Sequence, residues 1–213
     1  PRFNNIGSYS LYGCTSLKHF EVPESGRTVS FGSYALYDCY SLEKVVLPVI
    51  TSLNTYSYTF QYCTGELVIK GNISTAVSSS GSYNAFYGNN FSKVIFKEGV
   101  TSISNYTCYQ WSSLKTVEIP SSLTSIGSYA FRYCYGLSTI INNGTYFSFS
   151  KGSSSYGYIA YYATEIIKNE PEVIGDFVFI GDTLVNYTGS DSEVILPETF
   201  KLPSILRSPL PRR

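Results

Sequence analysis

The chain has 213 residues, enough for one sizeable core or for a stack of smaller units. Its 15 Lys and Arg balance 15 Asp and Glu, so nothing draws it over long range to nucleic acid or an anionic membrane surface, and neither is expected as a partner. No apolar run approaches the roughly 18 residues of a spanning helix, so direct membrane insertion is not expected either.

The first residues, PRFNNIGSYS, contain no initiator Met and no basic stretch leading into an apolar run, so the chain reads as a processed product or an excised fragment. One phrase then recurs. Its copies are IGSYSLYGCTSLKHFEVP (6–23), FGSYALYDCYSLEKVVLP (31–48), a looser TYSYTFQYCTGELVIK (55–70), SYNAFYGNNFSKVIFK (82–97), ISNYTCYQWSSLKTVEIP (103–120) and IGSYAFRYCYGLSTIIN (126–142). A recurrence of this length lies in the 20 to 29 residue range of leucine-rich repeats.

Each copy ends in a short strand. In LKTVEIP, Leu114, Val117 and Ile119 alternate with Thr116 and Glu118, the period of a half-buried strand. Pro23, Pro48 and Pro120 follow directly, where a residue without an N–H suits the end of a ladder. Between strands no run holds a helical period, which predicts an extended, turn-like return with at most a single helical turn at SYAF. One such coil cannot close a core; stacked coils can. The expected fold is a leucine-rich repeat solenoid over residues 1–142, with a parallel sheet on its concave face and short turns or 3-10 segments on the return side.

The five cysteines fit this frame. Cys14, Cys39, Cys63 and Cys134 share one repeat position, filled by Trp111 in the fifth copy and by Gly88 or Asn89 in the fourth, while Cys108 aligns with Leu11, Leu36 and Phe131. A buried column is expected, because free Cys packs as a small apolar residue. No CxxC occurs and His19 is the one histidine, so no metal site or cofactor is expected. Tyr9, Tyr34, Tyr106 and Tyr129, with Tyr58 if the third copy is gapped, form a second column, either a ladder packing edge to face on the convex side or, with the Ser and Gly around it, a contact surface.

Catalytic chemistry finds no anchor. His19 points out of its strand, and Glu21 and Glu118 stand three coils or more apart, too far for paired-carboxylate work. The outward positions themselves are more informative. One column reads Glu21, Val46, Val68, Ile95, Glu118 and Ile141, and its neighbour His19, Lys44, Lys93, Thr116 and Thr139, with the third copy too irregular to place. These residues are the candidate ligand face: an apolar strip with polar flanks, suited to a protein partner, beside the plainer reading that β-branched residues favour strands anyway. Asn72, Asn90, Asn105, Asn143 and Asn186 each begin an N-x-[ST] triplet, a glycan acceptor only in a eukaryotic secreted protein.

The phrase SLTSIGSYAFRYCYGLSTI (122–140), with SLEKVVLP and SLKTVEIP, resembles the leucine-rich repeat of BspA-like surface proteins. VIGDFVFIGDTLVNYTGSDSEVILPETF (173–200) resembles the module that opens a further set of such repeats, so 173–200 is expected to be a partial module or cap. Residues 143–172 lose the register and are expected to be an irregular repeat or insertion, and the Pro- and Arg-rich 201–213 a disordered tail. The resemblance implies a non-enzymatic, extracellular or cell-surface module that adheres to a host, matrix or other cell-surface protein, or to a glycan. A spacer or stalk within a larger surface protein is the alternative, and a domain of an extracellular enzyme a more distant one.

Overall fold

The computed structural model describes residues 4–23, 26–49, 51–53, 58–75, 85–169, 171–180 and 183–190. The tail 201–213, the end of the 173–200 segment, and the first residues of the third and fourth copies (55–57 and 82–84) lie outside them. Residues 1–168 and 169–213 form two compact units.

The first unit is a parallel β-solenoid of about six turns. Its long sheet stacks His19–Glu21, Lys44–Leu47, Thr64–Ile69, Asn90–Phe96, Thr116–Ile119, Thr139–Asn142 and Glu165–Lys168 in chain order, every pair parallel. The period-2 alternation sends Val45, Leu67, Val94, Val117 and Ile140 inward to full burial, with Phe20 and Ile166 half-buried at the two ends. A second wall is made of rungs only two or three residues long. Asn5–Ile6, Val29–Phe31, Thr51–Leu53 and Ile73–Thr75 pair in parallel, as do Ser102–Ile103 and Ser125–Ile126. Gly127 follows the last rung because a Cβ there would run into the backbone nitrogen of Asn105 on the preceding coil.

Among the described residues the return side carries no α-helix and a single 3-10 turn, Tyr156–Tyr158. It is a chain of overlapping turns in which alternate N–H groups have different destinations. In the first coil Ser10, Tyr12 and Cys14 donate back to Gly7, Tyr9 and Leu11, closing turns, while Tyr9, Leu11 and Gly13 donate to Ser33, Ala35 and Tyr37 of the next coil. Both sets of backbone groups are thus satisfied without a helix or a regular strand. Such turns need a left-handed residue at their third position, and five coils supply two, four residues apart, while the fourth shows Gly88 among the described residues. Tyr9, Tyr34, Tyr58, Tyr106 and Tyr129 hold φ between 47° and 59°, and Gly13, Asp38, Tyr62, Gly88, Gln110 and Tyr133 between 63° and 69°.

Inside, an aromatic line runs from coil to coil. Phe31, Phe60, Phe86 and Trp111 follow one another with ring centres 5.6, 5.1 and 5.1 Å apart, within the range where aromatic pairs add to simple burial. After Asn142 the chain makes one further coil. Asn142 occupies a core position but spans the turn, donating to Phe147 O and accepting from Gly144 N. Phe147, Ile159, Ala160 and Ala163 then fill the interior before Glu165–Lys168 joins the sheet in register with Thr139–Asn142. In the second unit, Pro171–Ile174, Phe177–Ile180 and Thr183–Tyr187 form an antiparallel three-stranded meander, whose first turn places Gly175 at φ 60°.

Candidate functional site: the outward face of the long sheet

Parallel register fixes which side chains are neighbours on the face turned away from the core. His19, Lys44, Glu66, Lys93, Thr116, Thr139 and Glu165 form one column, and Glu21, Val46, Val68, Ile95, Glu118, Ile141 and Ile167 the next. All eleven residues proposed from sequence stand in these columns. Glu66, Glu165 and Ile167 were not among them. Glu66 is hard to place because the third and fourth strands are offset by one residue: Gly65 opposes Phe91 but Glu66 opposes Lys93, leaving Ser92 as an extra residue.

The charges form an ordered row. Lys44 Nζ lies 3.3 Å from Glu66 Oε1, Lys93 Nζ bridges Glu66 Oε2 at 3.7 Å and Glu118 Oε2 at 3.6 Å, and Lys70 Nζ reaches Glu21 Oε1 at 3.1 Å. Glu66 and Glu118 are half-buried, and at the first column's end His19 is exposed, its Nε2 3.7 Å from Glu43 Oε2.

The apolar strip differs from its expectation. Val46, Val68 and Ile95 do face outward and touch one another as a cluster separate from the main core, yet they are only 6%, 3% and 6% exposed. They stand in a column flanked by the ion-paired lysines and glutamates, whose long stems cover neighbouring apolar surface. The apolar side chain open to solvent in that column is Ile167, at 38%. Serines at 46, 68 and 95 are therefore expected to destabilise the fold, because they place hydroxyls at buried positions among apolar neighbours.

The opposite side is a tyrosine surface. Tyr9, Tyr34 and Tyr58 stack nearly parallel, with centres 5.1 and 5.4 Å apart and interplanar angles of 11° and 19°, rather than edge to face. The next pair, Tyr58–Tyr87, is perpendicular. A second ladder joins Tyr12, Tyr37 and Tyr62, and Tyr106, Tyr129 and Tyr158 continue the first in later coils.

Four of the five thiols are buried in the core, and Cys14 is half-buried. Cys39 Sγ donates to Leu11 O, Cys63 Sγ to Leu36 O and Cys134 Sγ to Cys108 O, each reaching the same position of the preceding coil. The fourth copy places Asn89 in this column, buried, with Nδ2 on Phe86 O and Oδ1 taking Phe91 N. Burial pushes the Cys134 thiol up to about 12 and the Cys108 thiol well above its ordinary value, so neither supplies a thiolate near neutral pH. Cys63 is pushed up by its hydrogen bond with Cys39 and by burial. Among the described residues no group of three or more His, Cys, Asp or Glu is placed to hold a metal ion.

All four described triplet Asn side chains bond to another coil, Asn90 accepting from Ser113 Oγ and Asn143 donating to Glu118 Oε1, and two of them bond its backbone. Asn72 Oδ1 accepts from the N–H groups of Thr101 and Ser102, and Asn105 Oδ1 accepts from Ser128 N at 2.7 Å, so both amides tie one coil to the next. The Asn186 side chain lies outside the described residues.

Compared with known families, residues 2–83 and 79–204 match the BspA type leucine rich repeat region, in six copies. No curated protein and no solved structure matches the chain significantly. Repeats of this type often serve in protein–protein interaction, the solenoids they build are typically binding or scaffold modules, and proteins that carry them are often surface-associated. No helix among the described residues is long and apolar enough to cross a membrane.

Proposed function

Because the chain belongs to the BspA-type leucine-rich repeat family, we propose that it is a non-enzymatic adhesion module, acting at a cell surface or outside the cell. Its ligand is a host, matrix or other cell-surface protein, or a glycan displayed on one. The binding surface is the outward face of the long sheet, the side expected to be concave, through His19, Glu21, Lys44, Glu66, Lys93, Thr116, Glu118, Thr139 and Ile141. The observation that carries this reading is the charge row. Lys44, Glu66, Lys93 and Glu118 alternate in sign at a spacing set by the strands, about 4.8 Å. A regular row of half-exposed charges on a rigid scaffold favours complementary partners and repels like-charged ones, which gives specificity and speeds encounter.

A second reading has its own support. Val46, Val68 and Ile95 are closed off, so the central coils offer no apolar docking strip, and a spacer or stalk needs none. The two separate in a binding screen of the purified chain against immobilised matrix and cell-surface proteins and a glycan array. Adhesion predicts a reproducible micromolar ligand whose affinity falls as salt rises, since exposed charges are screened over about 8 Å at physiological ionic strength. No ligand at that concentration would leave the spacer.

A further inference from the structure

A second site lies on the other wall, where the rungs stop. Two pairs of successive rungs are held by the same three backbone bonds. Between the first and second coils these are Ser30 N to Asn4 O, Gly32 N to Ile6 O and Tyr9 N to Ser33 O, at 3.0, 2.8 and 3.1 Å. Between the fifth and sixth they are Ser125 N to Thr101 O, Gly127 N to Ile103 O and Tyr106 N to Ser128 O, at 3.2, 2.8 and 3.1 Å. The sixth coil presents the same set to whatever comes next: Thr124 O, Ile126 O and Tyr129 N–H. Among the described residues none of the three has a backbone partner.

The seventh coil does not fill the place. Its corresponding stretch turns back on itself, with Gly152 N bonded to Ala160 O and Ser153 N to Ser150 O, and it rejoins the stack at Phe131 N to Gly157 O. The result is an open groove of about 410 Å³ whose walls include Ile126, Ser128, Tyr129, Ser154, Tyr156 and Tyr158. Its far wall is strained. Tyr156, Gly157 and Tyr158 hold φ of 51°, 65° and 70° in succession, and left-handed non-glycine residues persist where the surroundings enforce them, often at ligand clamps. Gly157 itself sits so close to Gly127 O that no side chain would fit.

A cation stands against two of the groove's wall residues. The Arg132 guanidinium carbon lies 5.0 and 5.6 Å from the ring centres of Tyr129 and Tyr158, which wall the groove, and 4.6 Å from that of Tyr133. Among the described residues Arg132 has no carboxylate partner.

We propose that this groove binds an extended acidic peptide segment, which adds as the missing rung in parallel to Ser125–Ile126 and sets a carboxylate against Arg132. Two unpaired carbonyls and an N–H at rung spacing ask for a main chain, aromatic walls suit the side chains on either side of it, and Arg132 selects the acid. This surface is separate from the long-sheet face, and the two can succeed or fail independently.

The test uses the whole chain and the synthetic peptide TSIGSE, which copies residues 124–128, the sixth-coil rung, and adds a glutamate. Amide NMR with about 1 mM peptide is expected to shift Tyr129 and its neighbours and to leave Lys44, Glu66 and Lys93 unmoved. N-methylation of the peptide's second and fourth residues, which would donate to Thr124 O and Ile126 O, should weaken binding about tenfold or more. Ser154→Trp, on the exposed rim, should abolish binding without changing the melting temperature. Arg132→Gln should remove the preference for TSIGSE over TSIGSQ. The proposal is overturned if Tyr129 does not shift, or if the N-methylated peptide binds equally. Shifts at Tyr129 that appear on concentrating the protein without peptide would assign the rung to a second copy and overturn it as well. An unchanged Glu preference in Arg132→Gln would remove the acidic selectivity.

Discussion

The two walls of the solenoid bind coil to coil through backbone hydrogen bonds, but they constrain sequence very differently. On the long sheet the bonds are an ordinary parallel ladder, and only the inward half of each strand is fixed by packing. Outward positions hold His, Lys, Glu, Thr, Val or Ile, and the one register shift in the ladder, at Gly65/Glu66, comes from the extra residue Ser92. On the return side five of the first six coils show two left-handed residues, all of these but the first coil bury an Ala or Thr beside the first of them, and a Cys, Asn or Trp fills the corner. The turn wall is therefore where the repeat is specified, and the strand wall is where it is free to differ, which is why recognition is placed on the strands.

The largest expected effect lies in the core common to both walls. Phe60→Ala, in the ring line between Phe31 and Phe86, should cost about 3–5 kcal/mol in urea unfolding; under 1 kcal/mol would mean that the coils pack loosely. Next comes the closed strip. Val68→Ser should cost about 1–3 kcal/mol, because a hydroxyl is buried without a partner, and a neutral result would show that the strip is open after all. The thiol column gives a pH effect. Cys134 stays protonated to about 12 in the fold against an ordinary 9.0, so its contribution is complete below about pH 9 and is lost as pH climbs toward 12. The melting temperature should fall across that window, less steeply in Cys134→Ala; an equal slope would show that other groups govern it. Smallest is Lys93→Ala, worth at most about 1 kcal/mol because its ion pairs are partly solvated, even though it removes the centre of the charge row.

Much of the core was legible in sequence because the repeat compares six versions of one position. A column occupied by Leu11, Leu36, Cys108 and Phe131 declares itself buried whatever the residue. The strand alternation likewise places Glu21, Lys44, Glu118 and Thr139 on the outward face. What escaped depends on geometry that no single position displays. Glu66 was lost to the extra residue Ser92, which breaks the alternation between the third and fourth strands. Val46, Val68 and Ile95 face outward by parity, but their exposure depends on neighbouring side chains and on their contact with one another. The tyrosine column was visible, whereas its left-handed backbone and near-parallel stacking were not, since Tyr carries no turn signature. The outer rungs, two or three residues long, are too short to show a period.

The claim that the strand wall carries recognition is tested most directly by inverting the charge row in place. Lys44→Glu, Glu66→Lys, Lys93→Glu and Glu118→Lys together keep the net charge and every neighbouring ion pair while exchanging the sign at each step. Measured against the ligands that the wild-type chain binds, the inverted chain should melt within a few degrees of wild type and lose at least about tenfold in affinity. If it binds the same ligands equally well, the outward face of the long sheet is not the binding surface.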